Sequence, residues 1–151
     1  MKLSFYIFTT LISVSVFGQN VTQINGQVNT GQCAEVRRDN NLHLFGINDF
    51  SKFTDSFTIS SAIIEDDCLV IEVVFGGGCG TTNFALITDG MVTESMHPEV
   101  RFLLSLLDND RCKALVYRTL KFDLTKFNGY KTENGMSFRI MNSDFVVEWP
   151  E

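Results

Sequence analysis

Apolar and polar residues alternate with a period of two along most of this chain, and no long stretch keeps the period of a helix. The clearest example is residues 69–75, where Leu69, Ile71, Val73 and Phe75 share one face. Such alternation is typical of a strand that buries one of its two faces. The pattern therefore predicts a protein built mainly from β-strands.

A second strong strand is predicted at residues 100–106, with Val100, Phe102, Leu104 and Leu106 on one face. Shorter alternating stretches, separated by turns rich in Asp, Asn and Gly, predict further strands at residues 41–47, 57–64, 83–88, 113–124, 136–141 and 144–149. Eight short strands with frequent turns predict an all-β fold, with an antiparallel, immunoglobulin-like β-sandwich as the default arrangement. This domain is expected to span residues 41–151.

The first 18 residues, MKLSFYIFTTLISVSVFG, have the character of a secretory signal peptide: a basic Lys2, an apolar stretch, and a small residue at the end. A membrane anchor would need about 20 apolar residues, whereas this run contains several Ser and Thr. We therefore expect a secreted protein, periplasmic or extracellular, with no stable membrane insertion after cleavage. Residues 19–40 then form an N-terminal segment ahead of the sandwich.

The charge of the chain argues against a nucleic-acid partner. The formal net charge is −6, and Lys and Arg are scattered among more numerous acidic residues. A nucleic-acid-binding protein needs a basic stripe to neutralise phosphates. The predicted partner is instead an unidentified protein or glycan of the cell envelope.

The cysteine content indicates disulfide bonds. The chain has four cysteines, an even number in a chain predicted to be exported; they are Cys33, Cys68, Cys79 and Cys112. No pair has the short C-x2-C spacing of a structural zinc site, and His43 and His97, the two histidines, lie in different segments. The sequence thus predicts neither a metal site nor a cofactor.

The stretch EVVFGGGCGTTNF contains a glycine-rich loop that begins at Gly76 and ends at Gly80. A phosphate-binding loop would end in Gly-Lys-Ser/Thr and lead into a helix, but here a strand-like TTNFALIT follows. A nucleophilic Cys79 could use His97 as its base and Glu94 or Asp89 as the orienting acid, although no local signature of a cysteine enzyme is present. In the structural interpretation, the glycines let the strand turn steeply and Cys79 points inward to a partner.

Two other motifs have a structural and a functional interpretation. The DND at residues 108–110 matches a calcium loop poorly, and predicts a hairpin turn whose side chains bond nearby amides. In DFSKFTDSF, Phe50, Phe53 and Phe57 are spaced by three and four residues, which fits a helical turn or loop that closes one end of the sandwich. Alternatively, Phe50 and Phe53, together with Tyr130, form an exposed aromatic binding surface for a sugar or a peptide.

Four motifs occur together in order: GGGCG, ESMHPEV, DNDRCKALV and LKFDLT, between residues 76 and 125. In this combination the chain resembles small exported bacterial β-sandwich proteins that are similar to the C-terminal domain of NigD-like proteins. The resemblance implies a fold and an exported address, and no biochemical activity. The chain departs from many of these proteins in lacking a cysteine directly after its apolar N-terminal stretch, where a lipid would be attached.

The resemblance also points to a bond between Cys79 and Cys112. Strand alternation is consistent with this pairing, because Cys79 would follow Phe75 inward if the pleat continued, and Cys112 shares its parity with Val116. The glycines between Phe75 and Cys79 are able to break that parity. A bond between Cys33 and Cys68 then follows by elimination.

These observations favour a secreted, disulfide-linked β-sandwich that acts as a binding or structural module of the cell envelope, with no catalytic residues. The alternative is an enzyme or inhibitor that uses the Gly76 to Gly80 loop with Cys79 and His97. A pocket that joins Cys79 to His97, with a free thiol, would favour the alternative.

We predict that the exported chain begins at Gln19 or within a few residues of it, because Gly18 offers the signal peptidase a small residue where the apolar run ends. N-terminal sequencing of the secreted protein measures this. Recovery of chains that still begin with Met1 in the membrane fraction would contradict both the signal peptide and the released state.

Overall fold

The computed structural model describes residues 32–42 and 54–151, and these form an all-β structure. The strands are β1 (Ala34–Glu35), β2 (Arg37–Arg38), β3 (Phe57–Glu65), β4 (Cys68–Gly77), β5 (Thr82–Thr88), β6 (Glu99–Asp108), β7 (Ala114–Asp123), β8 (Met136–Ile140) and β9 (Val146–Trp149). A short 3-10 helix, Thr125–Tyr130, follows β7. The long predicted strands are confirmed to within two residues at each end. Of the strand predicted at residues 41–47, Asn41 and Leu42 lie in a turn, and the remainder is outside the described residues.

The strands form two sheets, one of four strands in the order β1-β7-β4-β3 and one of five in the order β2-β5-β6-β8-β9. The prediction of a purely antiparallel arrangement is wrong, because β1 pairs with β7, β2 with β5, and β6 with β8 in parallel. The β6–β8 pair is parallel because the chain leaves β6 for the other sheet, forms β7 there, and returns to run beside β6 in the same direction. The DND turn after β6 therefore connects two sheets, and the prediction of a hairpin at this turn is wrong.

The apolar faces of both sheets meet in one core. From the four-stranded sheet, β4 contributes Leu69, Ile71, Val73 and Phe75, all at most 3% exposed. Their neighbours in the core come from the five-stranded sheet, and include Phe84, Leu86, Phe102, Leu104, Leu106 and Phe138. The Phe75 and Phe84 rings meet edge to face across the two layers, with centroids 5.3 Å apart. The predicted alternation of apolar residues thus identifies the buried face of each long strand.

Two hairpins follow from local sequence. The strands β3 and β4 are joined at the pair Glu65–Cys68 by Asp66 and Asp67, which both have positive φ angles, 47° and 62°. Two residues of positive φ are the mark of a type I′ turn, whose twist matches that of the strands it joins, and Asp tolerates this conformation better than most residues. The predicted hairpin between residues 136–141 and 144–149 is confirmed by the antiparallel β8–β9 pair.

The described part of the N-terminal segment contacts both sheets. Its first strand, β1, extends the four-stranded sheet, and β2 extends the five-stranded sheet. Val36, which lies between them, is 1% exposed and belongs to the shared core. This short crossing joins the two sheets at one corner of the structure.

Residues outside the strands continue the hydrogen bonding of β6 beyond the end of β8. The amide of Asn142 accepts a hydrogen bond from Leu104 N at 3.3 Å and donates one to Leu104 O at 2.8 Å. Two residues further along, Thr54 Oγ1 accepts from Leu106 N at 2.9 Å, and Asp55 N donates to Leu106 O at 2.9 Å. The polar backbone groups on this edge of β6 are thereby satisfied without a neighbouring strand.

Among the residues that the structure describes, no helix has the length and apolar character needed to cross a membrane. Disulfide bonds, described below, are typical of oxidising compartments outside the cytoplasm.

We expect Asn142→Ala to lower the free energy of unfolding by about 1–3 kcal/mol, since it leaves Leu104 N and O without their partner in a half-buried position. Asn142→Asp should also be destabilising, because a carboxylate cannot donate to Leu104 O. Urea denaturation of both variants measures the effect, with Asn128→Ala, at an exposed position, as the control. Equal stability of all three variants would contradict this role for Asn142.

Candidate functional site

The glycine-rich loop after β4 is attached to the carboxylate of Asp110. Asp110 Oδ2 accepts hydrogen bonds from the backbone N–H groups of Cys79 and Gly80, each at 2.7 Å, and Oδ1 accepts one from Cys112 N–H at 2.8 Å. A Cβ atom on Gly80 would lie 2.8 Å from Asp110 Cα, so this close approach requires glycine. The converging N–H groups could bind an anion, and the anion present is the protein's own side chain.

These hydrogen bonds lower the pKa of Asp110 below its ordinary value of 3.8. The N–H group of Cys112 has the largest effect, followed by that of Gly80; partial removal from water acts in the opposite direction and raises the pKa, and the N–H groups of Cys79 and Gly78 lower it further. The charged carboxylate is therefore the form that stabilises this corner.

The structure contains the two expected disulfides. Cys79 is joined to Cys112 with a Cα–Cα distance of 5.9 Å, and Cys33 to Cys68 with a distance of 6.1 Å. The prediction that Cys79 points inward is wrong, because Cys79 is exposed. The cause is Gly78, whose φ of +114° ends the regular alternation of the strand.

The disulfides remove the chemistry that a reactive Cys79 would need. No described cysteine is free, so no thiolate is present to act as a nucleophile. Ligand atoms of Cys79, Asp110 and Cys112 lie within 4.8 Å of one another, but both sulfurs are bonded to each other and are not available as thiolate ligands for a metal. This loop is a structural corner of the molecule.

His97, the predicted base for Cys79, lies at the other end of the sheet. Cys79 precedes β5 and His97 follows it, and seven residues of strand span about 20 Å. The ring of His97 faces two acceptors: Glu148 Oε2 is 2.8 Å from Nε2, and Asn134 O is 2.9 Å from Nδ1. The structure therefore does not bring Cys79 and His97 together.

An open cleft of about 440 Å³ lies at the same end as His97. It is lined by Gly90, Val92, Thr93, Glu94, Ser95, Pro98 and Tyr130, and we refer to it as the Tyr130 cleft. Its volume falls within the range of roughly 300–1,000 Å³ that is usual for small-molecule sites. Hydroxyl groups, one carboxylate and one aromatic ring supply the polar and flat surfaces that a ligand could contact.

Tyr130 is presented from an element that is fixed to the core. The 3-10 helix Thr125–Tyr130 buries Phe127, whose ring contacts those of Phe102 and Phe138 at centroid distances of 5.6 and 5.8 Å. Tyr130 lies one turn after Phe127 and is 53% exposed. Of the three residues of the predicted binding surface, Tyr130 therefore lies at a cleft, and Phe50 and Phe53 are outside the described residues.

The opposite wall of the Tyr130 cleft is the loop from β5 to β6, which is held by its own hydrogen bonds. Thr93 Oγ1 accepts from Glu99 N at 2.7 Å at one end of the wall. Gly90 has a φ of +77°, a left-handed conformation that favours glycine.

The outer part of this loop is bound to the turn before β8. Met96 O accepts hydrogen bonds from Thr132 Oγ1 at 2.9 Å and from Asn134 Nδ2 at 3.3 Å. Together with the contact between the His97 ring and Asn134 O, these bonds hold the β5–β6 loop against residues 132–134, which follow Tyr130 closely in the chain. A ligand would enter a site that is already formed, at a lower entropic cost than one that must first order a loop.

Part of this site is visible in the sequence for another reason. Glu94 and Asp89 were considered as orienting acids for Cys79; the structure places Glu94 in the cleft wall, and Asp89 is buried and accepts a hydrogen bond from Met91 N at 2.9 Å. Thr93 and Ser95 were not identified. The available signal was the run VTES, which interrupts the apolar alternation between two predicted strands.

No protein-family model matches the chain, and no curated protein matches it. Among solved structures, the chain is similar to a protein of unknown function, DUF1344, from Bacteroides vulgatus, with a TM-score of 0.50 and 15% sequence identity. The match covers 80% of this chain and 57% of that protein, so the chain spans less than two thirds of its length. At this level of identity the likeness concerns the fold alone.

We predict that the effect of Asp110→Asn on stability depends on pH. Because the pKa of Asp110 is lowered in the folded protein, the charged group stabilises the fold above its ordinary value of 3.8, and this contribution is lost as the pH falls through the lowered folded-state pKa. The variant should be less stable than the wild type at neutral pH, and the difference should shrink below about pH 4. Thermal unfolding over a series of pH values measures this, with Asp144→Asn, at an exposed position, as the control. A difference that stays constant across that range would contradict the prediction.

Proposed function

We propose that this protein is a secreted binding module of the cell envelope, an immunoglobulin-like β-sandwich that binds a glycan in the Tyr130 cleft. The observation that carries the proposal is the cleft itself, which is formed before any ligand arrives and presents an exposed aromatic ring beside several hydroxyl groups.

The proposed location has three supports. Two disulfides are typical of a protein that folds outside the cytoplasm. The first 18 residues have the pattern of a signal peptide. The ordered motifs resemble exported bacterial β-sandwich proteins similar to the C-terminal domain of NigD-like proteins. A periplasmic or extracellular protein of acidic net charge meets envelope glycans and proteins rather than nucleic acid.

A glycan fits the chemistry of the cleft. A sugar ring has an apolar C–H face and a rim of hydroxyl groups. The apolar body of an exposed tyrosine ring offers a flat surface for the C–H face, and hydroxyl and carboxylate groups can exchange hydrogen bonds with the rim. Tyr130 supplies the first element, and Thr93, Ser95 and Glu94 supply the second.

Binding without hydrolysis is favoured by the acidic residues of the cleft. Most glycosidases use a pair of carboxyl groups on either side of the scissile bond. Among the described residues that line the Tyr130 cleft, Glu94 alone carries a carboxylate. The arrangement therefore fits recognition of a sugar better than its cleavage.

We expect Tyr130→Ala to weaken glycan binding by about 10-fold or more, as is usual when a central aromatic contact is removed, and Tyr130→Phe to retain most of it because the ring remains. Isothermal titration calorimetry with oligosaccharides released from bacterial envelopes provides the affinity. The matched control is Tyr117→Ala, because Tyr117 lies on β7, away from the cleft, and is 73% exposed.

Full affinity in Tyr130→Ala would place the ligand elsewhere, and equal losses in Tyr117→Ala and Tyr130→Ala would mean that the measured binding is not specific to the cleft. Either result would contradict the proposed function.

A further inference from the structure

One edge of the four-stranded sheet is open along most of its length. Within the described residues, β7 pairs with β4 over the whole of Ala114–Asp123, but on its other side it pairs with β1 at Phe122 and Asp123 alone. The eight residues before Phe122 present their outward N–H and C=O groups to no neighbouring strand in the described chain. The other edge of the sheet differs, because β3 lies close to β9.

The inner side of β7, which faces the core, is only partly covered near this edge. Val116, which points to the inner side of β7, is only half-buried, and Ala114 on the same side is exposed. On the five-stranded sheet, β5 pairs with β2 at Ile87 and Thr88 alone, so the facing edge of β5 is open at the same corner. Arg118 crosses part of this opening, because its Nη1 donates a hydrogen bond to Thr82 O on β5 at 3.4 Å. An added strand could therefore contact β7 beside this link and place side chains next to Val116 and Ala114.

Large apolar side chains are exposed beside this edge. Leu115 is 65% exposed and Tyr117 is 73% exposed, and both lie on the outer face of β7. An exposed strand edge that carries apolar residues can pair with another chain, and natural proteins usually shield such edges. This edge has both features of a strand-addition site: unpaired backbone groups and adjacent apolar surface.

The charge of the edge is opposite to that of the protein. The chain has a formal net charge of −6, yet between Asp110 and Asp123 it contains no acidic residue and four basic ones, Arg111, Lys113, Arg118 and Lys121. We call residues 111–121 the basic edge. Arg118 lies over the Phe75 ring at 5.3 Å and Lys121 pairs with Glu65 at 3.4 Å, whereas Arg111 and Lys113 are exposed and form no ion pair with a described residue.

We propose that the basic edge binds an extended acidic peptide segment of a partner protein, which adds to β7 as a further strand. Charge identifies the occupant. Two copies of this chain that met edge to edge, centred on Tyr117, would place Lys113 of one opposite Lys121 of the other, and like charges directly opposite each other destabilise a strand pair. A segment with alternating apolar and acidic residues would instead place its apolar side chains beside Ala114 and Val116 on the inner side of β7, and its acidic side chains beside Lys113 on the outer side.

The row of backbone groups distinguishes a peptide from other polyanions. An acidic polysaccharide could neutralise Arg111 and Lys113, but it carries no regular series of N–H and C=O groups to pair with those of β7. Strand addition obtains much of its affinity from main-chain hydrogen bonds and its specificity from alternate side chains.

The test uses the mature protein and a labelled nine-residue peptide in which valine alternates with aspartate or glutamate. Fluorescence anisotropy should show binding that weakens by about 10-fold or more for the Arg111→Glu, Lys113→Glu double variant, and for a peptide with N-methyl groups on alternate amides. Both substituted residues are exposed, so the variant should fold. Hydrogen exchange should show new protection of amides in β7 when the peptide is bound.

Three comparisons decide the result. A matched peptide with lysine in place of the acidic residues should bind at least 10-fold more weakly, and Tyr130→Ala should bind the acidic peptide like the wild type, which separates this site from the Tyr130 cleft. Equal binding of acidic and basic peptides, no binding of the acidic peptide, or protection outside β7 would overturn the proposal. So would heparin that competes fully with the peptide while the N-methylated peptide keeps its affinity, because charge alone would then explain the binding.

Discussion

The structure depends on β4, a buried central strand that is covalently held near both ends. Its inward side chains are part of the core that the two sheets share. Cys68, the first residue of β4, is bonded to Cys33, and Cys79, just beyond its last residue, is bonded to Cys112. Each bond closes a loop with a sequence separation of 35 or 33 residues, which in the chain-entropy model stabilises the folded state by about 4 kcal/mol. That is a large part of the roughly 5–15 kcal/mol by which domains are stable.

This arrangement gives the two ends of the molecule different properties. At one end, Asp110, the glycine-rich loop and the Cys79–Cys112 bond form a corner in which the polar groups satisfy one another, so little is left to contact a ligand. At the other end, the loop between β5 and β6 and the 3-10 helix are tied to the core and to each other, yet leave the Tyr130 cleft open. Loops on a rigid scaffold are where binding sites most often occur. The contrast between the ends explains why a cysteine in a conspicuous motif is structural, while a less conspicuous polar run lines the cleft.

The sequence predicted features that depend on neighbouring residues better than features that depend on contacts between distant segments of the chain. Long strands such as β4 and β6 were predicted because a half-buried strand imposes alternation on its own residues. Strands β1 and β2 have two residues each and are too short to show a period. The parallel pairing of β6 with β8 depends on which sheet the chain enters next, and alternation within a strand carries no information about the direction of its neighbour. Tyr130 was predicted as a binding residue, but its facing wall is more than thirty residues earlier in the chain, and only the fold brings the two together.

The two closed loops also determine how the molecule would respond to a mechanical force. A pull applied at the N-terminal side of Cys33 passes directly through the sulfur atoms into Cys68, so the residues between them cannot be drawn out while that bond is intact. The residues between Cys79 and Cys112 cannot be extended either while their bond is intact. Residues 34–67 and 80–111 are thus inextensible under load while both bonds are intact, and the described residues that can still be drawn out are those between the two closed loops and those after Cys112. A pull on the two ends would therefore act on β4, which lies between the two bonds, and on the chain after Cys112, which contains β7, β8, β9 and the 3-10 helix that carries Tyr130.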